Sequence, residues 1–157
     1  MKRNVKFIVV HCTATPQDIS VKALREAWKE ILQCEDAPYH YLIEKDGETV
    51  QLLHENCIAG GAFPNNALCM HVAYIGGRDK EGKPKDTRTF KQKDALFGRL
   101  AGLSDRYPEA EIMGSDEFSG TDVNSPAFCV KKWLGDYMPD LSERPYFEDV
   151  EFFEEAA

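Results

Sequence analysis

The sequence predicts an α/β domain, and three observations carry that prediction. Two runs, Phe7–Val10 and Cys69–Ile75, are apolar, aromatic or β-branched at most positions, the mark of buried strands. Apolar residues recur at helical spacing in Val21, Leu24, Ala27, Trp28, Ile31 and Leu32, and again in Ala95, Leu96, Leu100, Leu103 and Tyr107. Strand and helix patterns alternate along the chain, the order that builds a sheet with helices packed on it.

Taken in order, the first strand delivers His11 where the apolar run stops and Cys12-Thr13-Ala14-Thr15 begins. An imidazole is therefore expected at a strand end, where α/β proteins line their ligand crevices and where it can serve as a metal ligand or a base. Gln17–Ser20 supplies capping side chains for the first helix. Tyr39–Ile43 and Thr49–Leu53 flank Asp46-Gly47, a turn pair that predicts two antiparallel strands because glycine accepts positive φ. His54–Leu68, rich in Gly, Ala, Pro and Asn, is expected to be a long surface loop, and Arg78–Arg88 a second one. Thr89 caps the next helix, which Pro108 ends. Glu111–Met113 forms a short strand and Gly114–Asn124 a polar loop. Ser125-Pro126 has the form of an N-cap followed by proline at the first helical position, opening a last helix with Phe128, Val130, Trp133, Leu134 and Tyr137 on one face.

At 157 residues, 43% hydrophobic and 29% charged, the chain suits one compact core. That core is expected to span residues 1–135. The segment 136–157 differs in character: it holds eight acidic residues against Arg144 alone, interleaved with Tyr146, Phe147, Phe152 and Phe153. It is expected either to serve as a separate interaction tail for a basic partner or to fold back over the domain. The five cysteines form no CxxC pair, which fits free thiols in a reducing compartment. No signal-peptide core follows Lys2 and Arg3, so the expected location is cytoplasmic as synthesised, with export by another route left open. A net charge of -8 argues against nucleic acid and anionic membrane surfaces as partners.

Five stretches in register carry a resemblance: Val10-His-Cys-Thr-Ala-Thr15, Tyr39-His-Tyr-Leu-Ile43 before Asp46-Gly47, Val72-Ala-Tyr-Ile-Gly-Gly77, Gly82-Lys-Pro-Lys-Asp-Thr-Arg-Thr89, and Ser125-Pro-Ala-Phe128 before Lys131-Lys-Trp133. Together they resemble the zinc-dependent N-acetylmuramoyl-L-alanine amidases of the phage-lysozyme and peptidoglycan-recognition-protein type, over about Lys6 to Leu134. The resemblance implies a central mixed β-sheet flanked by helices, with a peptidoglycan groove over a zinc ion.

It also implies where the chemistry should sit. The family's first zinc ligand matches His11, and its tyrosine near the zinc matches Tyr39. The second ligand position, a histidine in relatives, is Ser115, and the third, a cysteine, is Ser125. Val123 stands where many relatives carry a lysine, Gly61 is nearest to a loop histidine, and His71 replaces a customary glycine. Catalytic zinc needs three imidazole, thiolate or carboxylate ligands, and a neutral hydroxyl is a poor substitute. Even disturbing a partner of a ligand costs roughly 10 to 100-fold in affinity, so the loss of two ligands costs more. Ser125 also has a structural explanation as a helix cap.

No metal or other cofactor is expected, and His11, Tyr39, Gly61, His71, Ser115 and Ser125 are expected to line a vestigial ligand groove. His54 with Cys57, Cys69 with His71, or Asp116 and Glu117 near His11 would be the material for a rebuilt metal site. The expected function is that of a catalytically inactive amidase homologue binding peptidoglycan fragments or a protein partner. The alternatives are an active amidase with a non-standard metal site and a regulatory module acting through the acidic tail.

Overall fold

The computed structural model describes residues 3–31, 37–60, 65–119 and 124–137. Five strands, β1 (Phe7–Cys12), β2 (Tyr41–Ile43), β3 (Thr49–Gln51), β4 (Cys69–Tyr74) and β5 (Glu111–Gly114), form one sheet in the order β3-β2-β4-β1-β5. β2, β4, β1 and β5 run parallel and β3 is antiparallel to β2, so the sheet is mixed, as the resemblance implied. β4 is buried at every position, and β1 at every position after Phe7, which explains why neither shows polar alternation.

Side-chain alternation along these strands divides the core in two. Ile8, Val10 and Cys12 of β1, with Met70, Val72 and Tyr74 of β4, face the helices α2 (Phe90–Arg106) and α4 (Val130–Tyr137), meeting Leu96, Leu100, Leu103, Val130, Trp133 and Leu134. Ala73 and Ile75 face the other way, toward Leu24 and Trp28 of α1 (Val21–Ile31). The result is a sheet between helical layers. His11 and His71 fall on the α1 face by the same alternation.

Local chemistry sets the connections. Gly47 takes φ 89° at the turn between β2 and β3, and a Cβ there would meet the Lys91 carbonyl oxygen at 2.9 Å. Thr89 closes a capping box: its hydroxyl accepts the Gln92 N–H, and the Gln92 carbonyl oxygen accepts the Thr89 N–H, both at 3.0 Å. Gln92 is fully buried, and its amide nitrogen donates to the carbonyls of Ile43 (3.2 Å) and Ile75 (3.0 Å). One side chain thus caps α2 and ties it to the ends of β2 and β4. Replacing it by leucine, Gln92→Leu, leaves the Ile43 carbonyl its bond from the Ile75 N–H (2.9 Å) but removes the Gln92 donor from the Ile75 carbonyl and half the capping box, a loss of about 2–3 kcal/mol. The urea midpoint should fall with little change in slope.

Three elements differ from the expectation. β1 runs on through His11 and Cys12, which places His11 inside the strand. Gly114 closes β5, and Ser115–Ser119 forms a short helix, α3, inside the stretch read as a polar loop. α4 begins at Val130, five residues after Ser125. The Ser125-Pro126 bond is cis and Ala127 takes φ 73°, so the chain turns before it coils and Ser125 does not cap the helix.

Candidate functional site

The sheet register and the 124–129 segment assemble the site. Val9 of β1 lies opposite His71 of β4 and His11 opposite Ala73, so the two histidines sit one step apart on neighbouring strands, facing the same side. Their rings meet, with His11 Nε2 2.8 Å from His71 Nδ1. Tyr39, ahead of β2, packs its ring 5.0 Å from that of His11 and edge-on to Trp28 at 5.7 Å.

Hydrogen bonding assigns the tautomers. The Asn66 amide nitrogen donates to the Ala59 carbonyl (3.3 Å), which turns Asn66 Oδ1 toward His71 Nε2 at 3.0 Å as an acceptor. His71 therefore carries its proton on Nε2, and its Nδ1 accepts the proton of His11 Nε2. Just ahead of β2, His40 Nδ1 accepts the His71 backbone N–H at 3.1 Å, and His40 Nε2 donates to the Cys57 carbonyl at 2.7 Å. Burial holds His11 neutral, its pKa pushed down to about 3. Burial, and then the charges of His11, His40 and Arg3, push His71 down to about 2.

Ser115 and Ser125 meet on the other side. Ser115 opens α3, and its hydroxyl lies 2.9 Å from both the hydroxyl and the carbonyl oxygen of Ser125. The Ser125 hydroxyl accepts the Cys12 N–H at 3.1 Å, one residue from His11. The segment bearing Ser125 is pinned further: Asp116 N–H donates to the Ser125 carbonyl (3.0 Å) and the Tyr74 hydroxyl to that of Pro126 (2.6 Å). The Arg88 guanidinium, forked by the Asp86 carboxylate at 2.9 Å, stacks on Phe128 with its central carbon 3.3 Å from the ring centroid. The stretch Asp86-Thr-Arg-Thr89 is therefore structural. Its Thr87 hydroxyl also accepts the Gly77 N–H at 2.9 Å.

The structure thus joins His11, Tyr39 and His71 in one ring cluster and Ser115 and Ser125 in a second group, tied to β1 through the Cys12 N–H, while Gly61 and Val123 lie outside the described residues. His11 (1% exposed), Ser115 (3%) and Ser125 (3%) are all buried. Other candidate ligands are engaged elsewhere. Glu117 accepts the Gly114 N–H (3.0 Å), His54 Nδ1 the Asn56 N–H (3.1 Å), and the Cys69 thiol, its pKa pushed up by burial to about 11, lies 3.2 Å from the Asn65 carbonyl. No group of three His, Cys, Asp or Glu side chains gathers around a common point among the described residues.

These residues do not fit a catalytic zinc. Two of the three ligand positions carry neutral hydroxyls bonded to one another. The two imidazoles share a proton across 2.8 Å, whereas two nitrogens on one tetrahedral zinc would stand roughly 3.3 Å apart with no proton between them.

Sequence reasoning missed Arg3. Its guanidinium donates to four carbonyls of the segment before β4, Glu55 (3.1 Å), Cys57 (2.9 Å), Asn66 (3.0 Å) and Ala67 (3.0 Å), and to that of Cys69 (2.8 Å), where β4 begins. The nearby His40 Nε2 is itself a donor, so the 3.2 Å approach of Arg3 to it is not a hydrogen bond. Arg3 fixes the backbone that presents Asn66 to His71. Arg3→Ala should speed amide hydrogen exchange in Cys57–Gly60 and Asn65–Leu68 while leaving α2 and α4 protected, a pattern mass spectrometry resolves.

A mixed sheet between helices thus carries His11 on β1 beside Tyr39, with Ser115 at the start of α3 and Ser125 five residues ahead of α4. The family model for N-acetylmuramoyl-L-alanine amidase matches residues 1–127, and the chain belongs to that family. Among individual proteins it is similar to the endolysin of Escherichia phage T7, 29% identical over 134 residues that cover 84% of this chain and 87% of that one. Its fold matches the Ph2119 endolysin from Thermus scotoductus MAT2119 bacteriophage Ph2119 with a TM-score of 0.70 at 22% identity, covering 87% of this chain and 84% of the other. The Drosophila peptidoglycan recognition protein SD superposes with a TM-score of 0.62 at 20% identity, covering 88% and 83%.

Proposed function

We propose that this chain is a binding protein for peptidoglycan fragments built on the amidase fold, without amidase activity. The observation that carries the reading is the Ser115–Ser125 pair. Where a metal-dependent amidase needs two charged or strongly basic donors, two neutral hydroxyls satisfy each other and the Cys12 N–H. Without a bound cation nothing among these groups generates hydroxide at neutral pH or polarises the scissile amide carbonyl. The His11–His71 pair offers no substitute base, because the shared proton and the burial of both rings oppose proton uptake. The ligand class is supported by membership of the amidase family and by the fold shared with peptidoglycan recognition proteins.

The test has two arms. Protein purified without chelator should contain no stoichiometric zinc and release no L-alanyl peptide from muropeptides, yet bind muropeptides in calorimetry. One equivalent of tightly held zinc, lost together with hydrolysis in His11→Ala, would refute the loss of catalysis. Absence of any muropeptide binding to the folded protein would refute the ligand class.

A further inference from the structure

A cleft of about 600 Å³ opens beyond the ends of β2 and β4, bordered by Asp18, Ile19, Lys45, Ile75, Phe90 and Lys91. None of the candidate ligand-groove residues lines it. A second, small cavity of about 50 Å³ lies on the outer side of α2 between Phe90, Phe97 and Tyr137. Phe90 belongs to both, so the two form one track. Its aromatic surface is open: Phe90, in the first turn of α2, is 82% exposed, and Tyr137, the last residue of α4, is 61% exposed. Tyr137 packs on Trp133 at 5.9 Å and Phe97 at 6.3 Å, and from it the chain continues into residues 138–157.

We propose that this C-terminal segment docks on its own domain, running from Tyr137 back along α2 past Phe97 and Phe90 and placing Tyr146 and Phe147 in the cleft. The lengths agree. From Phe97 to Phe90 the helix spans about 10 Å. The nine residues from Tyr137 to Tyr146 can stretch to about 30 Å, enough to pass Phe90 and turn inward. Tyr146 and Phe147 precede Phe152 and Phe153, so they close the shorter loop and lose less entropy in doing so. Charge does not supply the attraction, because Asp18, Glu44 and Asp46 stand in the cleft beside Lys45 and Lys91. Ring burial supplies it. The exposed face of Phe90 and the apolar floor at Ile75 give the tail's aromatics a place out of water, while its acids stay solvated at the rim.

The experiment compares amide NMR spectra of the full chain with those of the full chain carrying Tyr146→Ser and Phe147→Ser. Shift changes should be confined to Gln17–Ser20, Glu44–Asp46 and Thr89–Phe97, persist in high salt, and be reproduced by Phe90→Ser. Phe152→Ser with Phe153→Ser should leave those regions unchanged. Unchanged spectra, changes centred on His11 and Ser125, or changes that grow with protein concentration would each overturn the proposal, the last by assigning the contact to a second copy. A dominant effect of Phe152 and Phe153 would overturn the assignment of Tyr146 and Phe147.

Discussion

The triple variant Ser115→His, Ser125→Cys and His71→Gly should bind one zinc per chain, with an affinity at least about 100 to 10,000-fold above that of the parent. The backbone already gathers the three positions. Ser115 and Ser125 touch at 2.9 Å, and Ser125 is bonded to the N–H of Cys12, next to His11. Imidazole and thiolate there complete a His₂Cys set. The third substitution matters because the His71 ring holds His11 Nε2 at 2.8 Å and blocks its rotation. The pair Ser115→His and Ser125→Cys alone should bind zinc more weakly than the triple variant. Calorimetry with zinc chloride reads both affinities. A triple variant that stays folded and metal-free would show that the groove itself, beyond its ligands, has been rebuilt.

Acid should destabilise the protein unusually early, and the three buried histidines, His11, His40 and His71, are the cause, burial lowering the pKa of each. In the unfolded chain an imidazole takes up a proton as pH falls through about 6.5. In the folded chain His11 resists to about 3 and His71 to about 2. The unfolded state therefore binds more protons throughout that window. The stability is fully present above about pH 6.5 and is lost as pH falls toward the folded values. Each such group contributes up to about 1.4 kcal/mol per pH unit, so His11 and His71 give a slope of roughly 2–3 kcal/mol per unit between pH 6 and 5, before most carboxylates titrate, and His40 adds to it in the same direction. His71→Gln should lower that slope by about 1 kcal/mol per unit. The slope tests the buried pair independently of any constant loss the substitution causes, and an unchanged slope in urea melts across this range would contradict the arrangement.

How much of this was legible in the sequence depended on the range of the interaction. Thr89 announces a helix start because capping is local, and Asp46-Gly47 announces a turn for the same reason. The alternation of apolar runs and helical stripes was enough for an α/β domain. Ser125-Pro126 misled because its local form is that of a cap, while the tertiary demand on Ser125, the Cys12 N–H 113 residues away, turns the chain elsewhere. His11 and His71 could each be singled out, but their shared proton depends on the offset between β1 and β4, and Asn66 enters only through Ala59. Arg3 carried no signal at all. A surface-type residue near the start of a chain gives no hint of five carbonyls contributed by a segment more than fifty positions on.

The sheet order has a consequence for how the molecule is made. β1 occupies the interior of the sheet, yet its partners come late: Phe7 pairs with Cys69 on one side and Glu111 on the other. A ribosome therefore synthesises nearly half of the chain before β1 can meet β4, and nearly three quarters before it can meet β5. Through that interval Ile8, Val9 and Val10 have no sheet to enter, and the nascent chain carries this adhesive apolar segment ahead of the strands that will cover it. Such long-range parallel pairing makes assembly slow, because the closure entropy of large loops is lost before the contacts that reward it form. Brisk translation at high expression should favour aggregation, and slower synthesis or a chaperone that shields the leading segment should raise the soluble yield.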